Sequence, residues 1–253
     1  APIETVRLEG ASAIDEDALV SGLANRPPEF VLIRLGEGMV LTDRYFRYDD
    51  LQTELDRRRI RSFYERYGYF ATTISGPEVK ENDEGRVEIT WKIDEGAPAR
   101  VSTVAIQNAP QGLAQRLRDA TGIEPGDIYE SGAFETAEGK LRAVLFREGY
   151  ATAEVEGETQ IDREDGAAAV VFEVRSGPLL HMGDLTVDGA VRTPTSAVEA
   201  RKTWEEGEVF DPPELEQLRG RLYAIDMFAG VRFDYATPPL IDGDTTEVVA
   251  RVE

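Results

Sequence analysis

Hydrophobic positions along the chain follow two periods that alternate in a fixed order. Period two is clearest where Val87, Ile89, Trp91 and Ile93 fall on one side and Glu88, Thr90 and Lys92 on the other. That alternation predicts a strand with one buried and one wet face. Helical spacing is clearest at Ile60, Phe63, Tyr64 and Tyr67, which stand at i, i+3, i+4 and i+7. Leu141, Val144 and Leu145, and again Leu215, Leu218 and Leu222, repeat part of it, so each predicts a helix with one face packed inward.

These segments recur in register. Tyr69 precedes Ile93 by 24 positions, Tyr150 precedes Val174 by the same interval, and so does Phe228 precede Val252. Gly68 and Gly149 sit just before the first two aromatics, where a helix C′ residue in the left-handed region is expected. Fixed spacing of this kind marks one supersecondary unit used several times.

Each copy opens on a short alternating strand that ends in a turn residue: Val6 to Gly10, Val104 to Asn108, Leu185 to Gly189. A first helix follows, with Ala18, Leu19 and Leu23, or Leu113 and Leu117, as its apolar stripe, and with Thr193-Pro194 as N-cap and first helical residue in the third copy. The second helix comes next, then two strands joined by polar turns such as Asn82-Asp83-Glu84-Gly85, Arg163-Glu164-Asp165-Gly166 and Asp242-Gly243-Asp244. The unit is βααββ, an α+β fold with two helices laid on a three-stranded mixed sheet. The expected repeats are 1–98, 99–178 and 179–253. The first carries an insertion around 26–45 whose Phe30-Val31-Leu32-Ile33 run predicts an extra strand or a plug over that repeat's own core.

Charge narrows the function classes. The net charge is −21, and each of the three windows is negative. Phosphate backbones and anionic lipid surfaces attract basic patches, so nucleic acid and electrostatic membrane docking are disfavoured. Arg57-Arg58-Arg59-Ile60-Arg61 is the one basic run, read as a solvated helix face. The chain has no cysteine and no apolar stretch long enough to span a bilayer as a helix. Its sole histidine, His181, lies at a repeat junction and is read as packing or hydrogen bonding, and no serine-hydrolase, zinc or phosphate-loop motif is present. No catalytic residue, metal site, cofactor or small-molecule substrate is expected. Tyr69, Tyr150, Phe228, Trp91 and Trp204 are read as packing residues.

With the Gly-Tyr pair after the second helix (Arg66-Tyr67-Gly68-Tyr69, Arg147-Glu148-Gly149-Tyr150), the chain resembles a POTRA array. The closing Ile93-Asp94-Glu95-Gly96 and Val174-Arg175-Ser176-Gly177 carry the same resemblance, and so does the Gly-acid-x-aromatic step at Gly126-Asp127-Ile128-Tyr129 and Gly207-Glu208-Val209-Phe210. It departs at Asp226-Met227-Phe228, where the Gly-aromatic pair is replaced, and at the insertion. The resemblance is to the BamA/TamA outer-membrane assembly superfamily, in a TamA-like three-repeat arrangement. It implies a periplasmic location, attachment to a β-barrel approached near Glu253, and capture of unfolded outer-membrane protein clients or assembly partners.

A three-stranded sheet offers a physical route to that capture, since an edge strand presents unpaired donors and acceptors to an extended segment. The candidate client-binding residues are Ala71, Thr72, Thr73 and Ile74, then Thr152, Ala153, Glu154 and Val155, then Val231, Arg232, Phe233 and Asp234. Thr72-Thr73 rank as the least protected. The competing reading is an edge blunted by Glu154, Arg232 or Asp234 and never paired. Alternative functions are the periplasmic region of a two-partner secretion transporter and, in a different class, an acidic hydrolase or calcium-dependent module.

Overall fold

The computed structural model describes every residue except 36–37, 190–193, 225–227, 238–239 and 253, and side chains are described outside 32–40 and 43. Thr193, Asp226, Met227 and Glu253, and the side chains of Leu32 and Ile33, therefore lie outside the described residues. The backbone divides into two compact units: 1–103 with 124–133 and 160–169, and 104–123 with 134–159 and 170–253.

In the first unit β1 (Ile3–Glu9) pairs in parallel with β5 (Val87–Asp94), and β5 pairs antiparallel with β4 (Thr73–Glu81), giving the order β1-β5-β4. The predicted alternation of β5 holds, with Val87, Ile89, Trp91 and Ile93 all buried. Their face meets α1 (Glu16–Ser21) and α2 (Thr53–Arg66) through Leu19, Ile60 and Tyr64, with Leu23 just beyond the end of α1. Two expected members of these stripes point outward: Ala18 is exposed, with Val20 buried in its stead, and Tyr67 is exposed at the end of α2.

Polar groups fix the loops around this core. Glu95 accepts from the Ser12 and Ala13 amides at 2.7 and 2.9 Å, from the Ser12 hydroxyl at 2.7 Å and from the Tyr64 hydroxyl at 3.0 Å. Burial raises this carboxyl, but those four donors outweigh it and hold Glu95 below the ordinary 4.5. Asp56, fully buried, accepts from the amides of Ala24 and Asn25 at 2.8 and 2.9 Å and from Arg59 at 2.5 Å. Asn25 in turn bonds Asp49 in both directions, its side-chain amide donating to the Asp49 carbonyl and its side-chain oxygen accepting the Asp49 amide.

That Asn25–Asp49 pair closes the base of the insertion, which forms β2 (Glu29–Leu35) and β3 (Gly38–Arg44), an antiparallel hairpin in a two-stranded sheet of its own. The extra strand is present, twice over. Of the run, Phe30 is 77% exposed, and Leu41 on the partner strand 64%. Phe30 can stand in solvent because the hairpin satisfies its backbone internally, without joining the three-stranded sheet.

The second copy contributes β6 (Arg100–Gln107), α3 (Ala114–Thr121), α4 (Ser131–Arg147), β7 (Glu154–Asp162) and β8 (Ala167–Arg175), with strand order β6-β8-β7. Leu117, Leu141 and Leu145 are fully buried, and Phe134 stacks on Phe172 at 5.2 Å. The third contributes β9 (His181–Asp188), α5 (Thr195–Glu199), α6 (Pro212–Tyr223), β10 (Val231–Asp234), β11 (Ile241–Asp242) and β12 (Thr245–Val252). Here β12 is central, parallel to β9 and antiparallel to β10 and β11. Pro194 is the N-cap of α5 rather than its first helical residue, with extended backbone (ψ 134°). Its core includes Trp204, whose indole N–H donates to the Gly183 carbonyl at 3.0 Å, and Phe228.

Candidate functional site

The first strand of each hairpin stands at the end of its strand order, β4 and β7 in three-stranded sheets and β10 in a four-stranded one, and among the described residues each pairs with one neighbour. The boundaries differ from expectation. β4 begins at Thr73, so Ala71 and Thr72 precede it, and β7 begins at Glu154, so Thr152 and Ala153 precede it. Thr73, Ile74, Glu154, Val155 and the whole Val231–Asp234 segment lie in edge strands. Thr72 is not poorly protected: it is 6% exposed, and its hydroxyl lies 2.9 Å from the Tyr69 carbonyl and 3.1 Å from that of Glu95. A residue that precedes a strand can be fixed by side-chain bonding to the turn, and alternation cannot reveal that.

The three edges carry different chemistry. On β4, Thr73 and Ser75 are exposed and uncharged. The register then shifts between Ser75 and Glu78, around Gly76-Pro77. Pro77 has no amide to offer an added strand, and the Gly76 carbonyl is taken by the Arg57 guanidinium at 2.5 Å. Arg57 also lies 5.7 Å from the Trp91 ring, so this member of the basic run is a tether onto β4 rather than a solvated charge. Beyond the shift, Lys80 sits 2.8 Å from Glu78 and holds its carboxyl below the ordinary range. On β7 the exposed side reads Glu154, Glu156, Glu158, with Arg175 of β8 reaching the first two at 3.9 and 3.0 Å. On β10, Asp234 pairs with Arg251, which also holds Asp188 at 3.0 Å.

Each edge strand is reached from the end of the second helix, and there the Gly-Tyr pair has an exact structural meaning in two places. The Gly68 amide donates to the Glu65 carbonyl and the Tyr69 amide to that of Tyr64; the Gly149 amide donates to Phe146 and the Tyr150 amide to Leu145. Both are Schellman ends with the glycine in the left-handed region, φ 86° and 88°. In the first, Tyr69 packs edge-on against Tyr64 at 6.0 Å.

The same glycines dock the residues that begin the following copy. The Ala99 amide donates to the Gly68 carbonyl at 2.8 Å, and the Tyr129 amide donates to the Ala99 carbonyl at 2.9 Å. The Leu180 amide donates to Gly149 at 2.9 Å, and the Phe210 amide to Leu180 at 2.8 Å. The Gly-acid-x-aromatic step is thus a bridge to the opening strand, pairing Ile128 with Arg100 and Val209 with His181. Each junction falls wholly inside one unit. Sequence spacing located this step between the helices but not its pairing partner. His181 fits its expected role: its amide donates to the Asp244 carbonyl at 2.7 Å, and its Nδ1 lies 3.4 Å from the Asp244 carboxylate. Among the described residues no group of three or more His, Asp or Glu could hold a metal ion.

The reach of Arg57 to β4 and the Gly76-Pro77 step are the features of this edge that the hydrophobic pattern does not show. A Gly-Pro pair inside an alternating strand is the signal that could have found them.

The POTRA family model, described as the surface antigen variable number repeat, matches residues 1–96 and 99–177. The outer membrane protein assembly factor BamA of Neorickettsia risticii (strain Illinois) is 24% identical over 252 residues, 99% of this chain and 32% of that protein. BamA of Neisseria meningitidis serogroup B is 22% identical over 216 residues, 82% of this chain and 27% of that protein. The chain therefore spans about a third of the length of the curated relatives it matches. Among solved structures, Haemophilus influenzae BamA POTRA3-5 superposes with a TM-score of 0.55 at 20% identity, covering 100% of this chain and 96% of that one. Repeated βααββ elements, Schellman glycines and a family model matched over most of the length agree: the chain belongs to the POTRA family.

Proposed function

We propose that 1–98, 99–178 and 179–253 are three POTRA repeats of a BamA-like protein, facing the periplasm. They take extended segments of unfolded outer-membrane protein onto the free sides of β4, β7 and β10 and pass them toward a β-barrel in the same protein. The observation that carries this reading is the strand order: the same strand stands at the edge in every copy. Backbone pairing at such an edge gives affinity with little demand on sequence, as a carrier of many different barrel sequences requires. On β4 the segments free to pair are Thr73 to Ser75 and Glu78 to Glu81, on either side of the Arg57 tether.

The test is site-specific photo-crosslinking to a defined probe, a denatured outer-membrane barrel polypeptide diluted from urea. Crosslinkers at Glu78, Glu158 and Phe233 on the edges should give adducts, and one at Lys92 on the central β5 should not. Adducts equal at Lys92 and Glu78, or absent from all edge positions, would rule the reading out.

A further inference from the structure

The two junctions share one main-chain staple but are filled by different side chains, at positions 81 residues apart as in 149 − 68 = 81. Glu65 corresponds to Phe146, Phe70 to Ala151, and Tyr129 to Phe210. In the later junction Phe146 packs against the third copy's core, its ring 5.6 Å from Phe210 and 6.1 Å from Tyr235, with Phe210 and Tyr235 5.2 Å apart. In the earlier one the Glu65 carboxylate instead lies 3.6 Å from Arg163. The Arg163 guanidinium stands 6.0 Å from the Phe70 ring, which is 5.9 Å from Tyr129.

Arg163 belongs to the turn between β7 and β8, and the same turn accepts the Arg100 amide on the Gly166 carbonyl at 2.8 Å. Small residues, among them Gly68, Ala71, Ala97 and Ala99, line a cleft beneath it. The Arg163 and Glu65 side chains are 66% and 31% exposed, so dissolved ions reach the pair. The turn holds its own shape, because the Asp162 carboxylate accepts the amides of Glu164 and Asp165 at 2.9 and 3.1 Å.

We propose that the Arg163 turn is a salt-sensitive strap across the earlier junction, closed at low ionic strength and loosened as salt rises, while the later junction, held by three rings, does not respond. Screening removes most of an exposed ion pair and leaves ring packing in place. The strap therefore makes the earlier junction the one that yields first.

Amide hydrogen exchange on the whole chain tests this at about 0.01 M and about 1 M salt. The Ala99, Arg100 and Tyr129 amides should exchange about two- to five-fold faster at high salt, as loss of an exposed ion pair implies. Leu180 and Phe210 should not change, which also separates local opening from a change in global stability. Arg163→Ala should give the faster rates already at low salt and abolish the salt response, and Glu65→Gln should do the same. An equal salt response at Leu180 and Phe210, or an Ala99 amide unaffected by Arg163→Ala, would overturn the proposal.

Discussion

The first and second copies share a frame and differ in what lines it. Both end their long helix on a glycine and an aromatic, and both leave the next strand at a sheet edge. Yet β4 opens with uncharged Thr73 and Ser75 and is tethered by Arg57, whereas β7 presents Glu154, Glu156 and Glu158. The linker after β5 carries Glu95 with four donors, whereas Ser176 at the corresponding place bonds only the adjacent Gly177 carbonyl among the interactions described. Backbone geometry is thus held constant while side chains vary, and affinity, acid response and tolerance to substitution should vary with them.

The largest contrast concerns the helix-end glycines. A Cβ at Gly68 would stand 2.5 Å from the Tyr129 carbonyl oxygen, a backbone wall, whereas at Gly149 its nearest neighbours are the movable tips of Val209 and Leu179 at 2.7 and 2.8 Å. Gly68→Ala should cost about 3 kcal/mol, from left-handed strain plus a displaced staple, and Gly149→Ala about 1–2 kcal/mol. Urea unfolding of the two variants measures both, and equal costs would dissolve the distinction.

Next comes the linker. Glu95→Ala removes an acceptor from four donors and should cost about 2 kcal/mol, whereas Ser176→Ala should be near zero. Because the folded-state value of Glu95 is depressed, its contribution is present above the unfolded value and lost as pH falls below 4.5 through the folded value. Acid titration of the wild type and Glu95→Gln should show the variant losing less stability over that window. Parallel curves would contradict the assignment.

Smaller still is the tether. Arg57→Ala should destabilise by about 1 kcal/mol, the Arg57 side chain being partly exposed, and should speed exchange of the β4 amides around Gly76 without touching β7. The least effect belongs to the edge charges. Glu154→Gln with Glu156→Gln should leave thermal stability within about 0.5 kcal/mol, while raising the affinity of β7 for an acidic extended peptide relative to a basic one. Unchanged selectivity between the two peptides would show that the glutamates do not face the incoming strand.

Much of the frame was legible because it is periodic. Alternation through Val87 to Ile93 named the buried face of β5, and the left-handed requirement at Gly68 and Gly149 named the helix ends. What stayed hidden depends on pairs far apart in sequence. Asp56 gathers the amides of Ala24 and Asn25 and Arg57 reaches Gly76, neither of which leaves a repeating trace, while the Ile128 step repeats at Val209 without revealing its partner strand. β4 and β7 start two residues later than the expected Ala71 and Thr152, and in the first case Thr72 is fixed by turn carbonyls and not by a ladder. The insertion's strand was legible, but a run apolar on both sides names no buried face, and Phe30 stands in solvent.

The central claim is that an extended client strand adds to β4. Residue-resolved hydrogen exchange of Thr73 to Glu81, with and without a saturating peptide taken from an outer-membrane barrel strand, tests it most directly. The account predicts slowed exchange at alternate amides of Thr73 to Ser75 and Glu78 to Glu81, with the central β5 unchanged; exchange on β4 that is identical with and without peptide would contradict it.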